Sequence, residues 1–342
     1  MNRKFSVLPL ISVILITLAG CGGSGHPDVS HIKVKMDVLR FDSAVFAADT
    51  AQPQQALLQL KQRYPSFTND FSQYILGIGP VSDTMPPQAA QAFQFFLTSY
   101  RPVYDSLAAT RKAWDKTEPA LLEAFRHLKY YFPEYAVPEV VVYVGPFDAP
   151  GVALTENAMA IGLQLYGGKD FFFYKTMQGQ AMFPEYISRR FEPAYIPVNA
   201  MKAVLDDMYP IDPNESSLLE KIVSSGKQLY MLDLLLPGTP DSLKTGFTAD
   251  QLAFCRENEG AIWNVLLKTT DIYTLDQSMI RIFVGDAPST EVLGPNSPGN
   301  IGQFVGWKMV QKYMSKFPEI KPDSLMRIGA KDLFLQSGYK PK

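Results

Sequence analysis

Hydrophobic and polar positions divide the chain into a helical front, a short strand-rich centre and a helical rear. Apolar residues alternate at Ile32, Val34, Met36 and Val38, which predicts a half-buried strand over 32–46 leading into a turn or helix. Spacing of three and four then takes over. Ala56, Leu57, Leu60 and Tyr64 share one face of a helix over 54–64, which Pro65 stops because it disfavours helical backbone in the residue before it. Further helices are predicted over 67–76, 88–97, 104–114 and 118–132, the last with Pro119 in its first turn. Val140-Val141-Val142-Tyr143-Val144, boxed by Pro138 and Gly145-Pro146, reads as a strand buried on both faces. Two shorter strands follow over 151–155 and 158–163, turning at Glu156-Asn157, and a helix over 198–208 closes the centre. Beyond it, helices are expected over 218–236, from the capping box Thr248-Ala249-Asp250-Gln251 to 268, over 300–313, and once or twice in 322–339. The apolar stretch 277–284 fits a strand or a helix, and 287–299 is a loop. The fold class expected is α/β (α+β-like), with helices flanking a small mixed central sheet.

The first residues change the picture at one end. Arg3-Lys4 and a short apolar run to Leu18 have the form of a secretion signal, too short for the roughly 20 residues that span a bilayer. Leu18-Ala19-Gly20-Cys21 has the form of a bacterial lipobox, so 1–20 is expected to be removed and Cys21 acylated. Residues 21–31, containing Gly, Ser and Pro, would tether a single body of residues 32–342 to the bilayer from the periplasmic side. With Cys21 consumed by lipid, Cys255 has no disulfide partner; among Leu252, Ala253 and Phe254 it reads as a small buried hydrophobe. A net charge of −2, with acids and bases mixed, gives no footprint for nucleic acid.

Candidate chemistry is sparse. Three strands followed by a helix is the layout in which zinc peptidases place two histidines and a glutamate on one helix turn. Here that helix reads Val198-Asn199-Ala200-Met201-Lys202-Ala203, and the only histidines are His26, His31 and His127. No catalytic residue, metal or cofactor is therefore expected. Gly167-Gly168-Lys169-Asp170 lacks the serine or threonine of a phosphate loop and reads as a turn. Asp206-Asp207 reads as solvated. Arg189-Arg190 with Glu192 reads as an ion-pair network fixing a loop. Gly302 and Gly306, one turn apart, predict close approach of another backbone, with internal packing favoured over a groove for a partner. The candidate binding surface is Asn157, Arg190, Asn199 and Lys202, in a cleft between the 158–163 strand and the 198–208 helix, where a sheet edge could hold an extended chain.

Several stretches together resemble the gliding motility lipoprotein GldB family of Bacteroidota. They are the lipobox at Cys21, Val38-Leu39-Arg40-Phe41-Asp42 and Tyr64-Pro65-Ser66-Phe67. Ala153-Leu154-Thr155-Glu156-Asn157, the run from Ile187 to Ile196 and the run from Gly299 to Trp307 complete the set. The resemblance implies a lipid-anchored envelope protein associated with gliding and type IX secretion machinery, partnered by the bilayer and other envelope proteins. It implies no established enzymatic activity. The expected role is a non-enzymatic assembly or stability factor; the alternative is a degenerate peptidase-like fold that binds peptide or peptidoglycan.

Overall fold

The computed structural model describes residues 26–210 and 216–342; the signal, Cys21 and the first tether residues lie outside them. In chain order, β1 (Val38–Arg40) runs directly into α1 (Phe41–Phe46). Then come α2 (Pro53–Arg63), α3 (Thr68–Asp70) continued by a π-turn over Phe71–Ile75, α4 (Pro87–Ser106) and α5 (Ala108–Tyr131). The sheet is completed by β2 (Glu139–Tyr143), β3 (Val152–Leu154) and β4 (Ala158–Gly162). Short turns and α6 (Met177–Met182) and α7 (Glu185–Ser188) lead to α8 (Ile196–Met208). The rear is helical: α9 (Leu218–Leu235), α10 (Asp241–Thr245), α11 (Ala249–Glu257), α12 (Glu259–Thr269), α13 (Gln277–Val284), α14 (Gly302–Lys316), α15 (Pro322–Arg327) and α16 (Ala330–Ser337).

The four strands lie in the order β1-β2-β4-β3, parallel except for β3. Val141 pairs with Leu39 on one side and Ala160 on the other. The valine run is thus the sheet's interior, and Val140, Val141, Val142 and Tyr143 are fully buried. Phe41, Phe67 and Phe71 pack edge-on or tilted against one another, and Phe67 and Phe71 against Tyr143. This is a mixed α/β fold with helices flanking a small sheet, as the pattern predicts.

Three local expectations are corrected and one open reading is settled. The strand over 32–46 is confined to Val38–Arg40: Val38 pairs with Val140, so the register would set Met36 against Pro138, which has no N–H to give. The alternation of 32–37 still places Val34 and Met36 against the core. The three helices expected over 88–132 are two, broken only at Leu107, and Pro102 and Pro119 lie inside them. The helix expected from Thr248 to 268 is split at Asn258, although its capping box forms as expected. The stretch 277–284, open between strand and helix, is a helix capped by Asp276, whose Oδ1 accepts from the Ser278 N–H at 2.8 Å.

The closest helix pair is α9 with α14. A Cβ on Gly306 would stand 1.8 Å from the Ile222 carbonyl oxygen, and one on Gly226 would stand 2.1 Å from the Gly306 carbonyl carbon. The glycine notch is therefore filled by another helix of the same chain.

Candidate functional site

Pro197 sits in the first turn of α8, where its missing N–H costs nothing. Ile196, Val198, Ala200, Met201, Val204 and Leu205 are buried, anchoring the helix on the core. Asn199, Lys202, Ala203 and Asp206, at spacings of three, four and seven, form another face. They line a cleft of about 330 Å³ whose opposite wall is Gly151 and Val152 at the start of β3, Leu165 and Tyr166 after β4, and Phe191.

Tyr166 is almost wholly buried, and its hydroxyl accepts from Asn199 Nδ2 at 2.9 Å. Burial pushes that hydroxyl up to about 12, so it keeps its proton at neutral pH. Gly151 makes room for it, since a Cβ there would lie 3.2 Å from the Tyr166 oxygen. Lys202 makes no ion pair or hydrogen bond among the described residues. Its amine is brought down to about 8, chiefly by burial and then by the Arg190 charge, with Asp206 and Asp286 opposing. Asp206 accepts from Gln228 Nε2 at 2.8 Å, and burial raises its carboxyl despite Lys202.

Arg190 reaches across to Asp286, with 3.3 Å between nitrogen and oxygen. Its neighbour Arg189 donates to the Gly246 carbonyl and to Gln251 Oε1. Glu192 takes no part in an arginine pair among the described residues; its Oε1 accepts the Lys169 N–H at 2.8 Å, closing the Gly167-Gly168 turn. The loop is fixed as expected, but the acid that pairs with Arg190 comes from after α13.

Of the four residues expected to form a binding surface, Asn199 and Lys202 line the cleft, and Arg190 acts on Lys202 through its charge. Asn157 does not join them. It is exposed in the β3–β4 turn, at the opposite end of a hairpin whose Val152–Ile161 pair marks the cleft end. The expected position of the cleft is also corrected. β4 lies between β2 and β3 and has no open edge, and α8 packs on β3 instead. The sequence reading missed Tyr166 and Gly151; Asp206 is exposed, as its solvated reading expects, and also lines the cleft. The aromatic immediately before Gly167-Gly168 was the available signal, but only the hairpin places it against α8.

Elsewhere the reactive side chains serve the fold. Cys255 is fully buried, and burial pushes its thiol up to about 12. His127 is buried with Nδ1 3.1 Å from the Glu123 carbonyl oxygen of its own helix. Among the described residues no three His, Cys, Asp or Glu side chains gather as metal ligands, and no helix is long and apolar enough to cross a membrane.

A family model described as "Gliding motility protein GldB" matches residues 23–341. No curated protein and no solved structure matches the chain.

Proposed function

The chain belongs to the gliding motility protein GldB family, and on that premise we propose that it is a lipid-anchored, non-enzymatic factor that assembles or stabilises envelope machinery for gliding and type IX secretion. The observation that carries the reading is the extent of the family match. It begins two residues after Cys21 and runs through the whole helical rear, so the body beyond the lipidation motif is family fold from end to end. Acylation of Cys21 would hold that body at the periplasmic face of a membrane, with three acyl chains anchoring far more firmly than one. The cleft supports a binding role: an amine, an amide and a tyrosine hydroxyl meet there, groups suited to holding a ligand.

Crosslinking in native membranes, followed by mass spectrometry, tests this. The wild-type chain should recover a reproducible set of envelope proteins, and Cys21→Ala should lose them together with membrane attachment. An unmodified Cys21 by intact mass, or no envelope protein enriched over the Cys21→Ala control, overturns the proposal. The second reading, a degenerate peptidase-like fold that binds peptide or peptidoglycan, is favoured by one observation, the Lys202 amine that lines the cleft without an ion pair or hydrogen bond among the described residues.

A further inference from the structure

The cleft beside α8 presents hydrogen-bond donors whose partners the fold does not supply. Tyr166 spends its hydroxyl oxygen as acceptor for Asn199 Nδ2, and its hydrogen has no acceptor among the described residues. A hydroxyl hydrogen rotates, so on a residue that lines the cleft it can turn to donate to a ligand there. Lys202 stands one turn further along α8 than Asn199, on the same face. The nearest arginine, Arg190, is held by Asp286 rather than by any acid of the cleft.

We propose that this cleft binds a carboxylate, one oxygen on the Lys202 ammonium and the other on the Tyr166 hydroxyl, supplied by the end of a peptide or by a small organic acid. The proposal rests on the second functional reading and gives it a ligand class. Two features favour a monoanion over phosphate. Asp206 lines the same cleft and repels a dianion more than a monoanion. The donors are few, whereas phosphate sites gather arginines or backbone N–H groups at a helix N-terminus. A volume of about 330 Å³ is at the small end of ligand sites and suits the end of a chain better than a long segment.

Binding should depend on pH. Burial is the largest influence on the Lys202 charge, lowering its affinity for a proton; Arg190 lowers it further, and Asp206 and Asp286 raise it. Below about pH 8 the amine is charged and holds the carboxylate; above that it loses its proton and the ion pair with it.

The test uses the full chain purified in detergent, titrated calorimetrically with N-acetyl-alanine, its methylamide and inorganic phosphate. N-acetyl-alanine should bind saturably at millimolar concentration or below, at least tenfold more tightly than the methylamide and phosphate, and weaken at least tenfold from pH 7 to pH 9.5. Lys202→Met and Tyr166→Phe should each weaken binding at least fivefold with unchanged circular dichroism. Lys202→Arg, which keeps the charge, should retain most of it and guards against misfolding of the other two. A free alanyl-alanine carboxylate bound much more tightly than acetate would identify a peptide end as the source; equal affinities would identify a small acid. No binding of N-acetyl-alanine, equal binding of the methylamide, preference for phosphate, or indifference to Lys202→Met would overturn the site. None of these outcomes bears on membrane crosslinking, so the site can fail while the assembly role stands.

Discussion

At the scale of single residues, glycine is the most instructive. Gly302 and Gly306 predict a close backbone approach from spacing alone, yet the partner, Gly226, is legible only once α9 and α14 lie side by side. The two positions are not equivalent. A methyl group at Gly306 meets the Ile222 carbonyl oxygen at 1.8 Å, which is backbone and cannot turn away. At Gly302 two of the three nearest atoms are side-chain carbons of Val284 and Ile222. Gly306→Ala should therefore destabilise the protein by about 2 kcal/mol, overpacking outweighing the roughly 1 kcal/mol that alanine gains in a helix. Gly302→Ala should cost less than half as much. Equal denaturant midpoints for the two variants would show that the helices part easily and the notch is not tight. The candidate site was legible in the same partial way. Asn199 and Lys202 share a helix face by simple spacing. The Tyr166 hydroxyl and the Asp286 that holds Arg190 depend on contacts 33 and 96 residues apart, which no local pattern encodes.

At the scale of elements, apolar periodicity located every helix longer than eight residues, with errors at their joints, while the short α6, α7 and α10 left no such pattern and α13 stayed open between strand and helix. Pro119 reads as the first turn of a helix, but α5 runs on through it, as α4 runs through Pro102, because each buried face continues: Phe93, Leu97 and Val103 in α4, Trp114, Leu121 and Phe125 in α5. Caps were read unevenly. The Thr248 box is followed by glutamine at the third position and was seen. The equivalent Ser217-Leu218-Leu219-Glu220 box was not, because its apolar middle reads as helix interior. In the structure Glu220 Oε2 accepts from the Ser217 N–H at 2.6 Å and its hydroxyl at 2.7 Å, and these bonds hold the Glu220 carboxyl below the usual range. Ser217→Ala should lower stability by about 1 kcal/mol. Because α9 is the helix on which α14 packs, the loss should appear as earlier global unfolding rather than local fraying. Hydrogen exchange that speeds up only in the first turn of α9, with the global midpoint unchanged, would contradict this. Two of the sequence stretches that suggested the family, Ile187 to Ile196 and Gly299 to Trp307, meet through one small element, α10. The Arg189 guanidinium donates to the Gly246 carbonyl that ends it, and Gln303 Nε2 donates to the Thr245 carbonyl. Lys244 and Trp307 bind the two oxygens of Asp233, each at 2.7 Å.

At the scale of the whole molecule, buried ionisable groups set how stability follows pH. Lys202 and Lys227 are both brought down to about 8 by burial, although Lys227 donates to the Met326 and Ile328 carbonyls. In the unfolded chain such amines titrate near 10.4. Between those values the unfolded state binds more protons, so raising the pH favours the folded protein. Cys255, Tyr135 and Tyr166 act in the opposite sense, their affinity for protons raised to about 12 by burial, and Tyr143, Tyr174 and Tyr339 are shifted further in the same direction. Above about pH 9 for the thiol and about pH 10 for the phenols, the unfolded chain sheds protons that the fold retains. Stability is then lost as pH rises. The denaturant midpoint should climb from pH 8 to a maximum between about pH 9 and 10 and fall steeply beyond it, the more numerous phenols outweighing two amines. Lys202→Met should flatten the rising limb and leave the falling limb in place, since methionine fills the stem's volume without a charge to desolvate. A midpoint that declines steadily from pH 8 in the wild type would mean that both amines stay solvated and charged in the folded protein. It would also remove the pH dependence expected for carboxylate binding, tying the behaviour of the whole fold to the state of one side chain in its cleft.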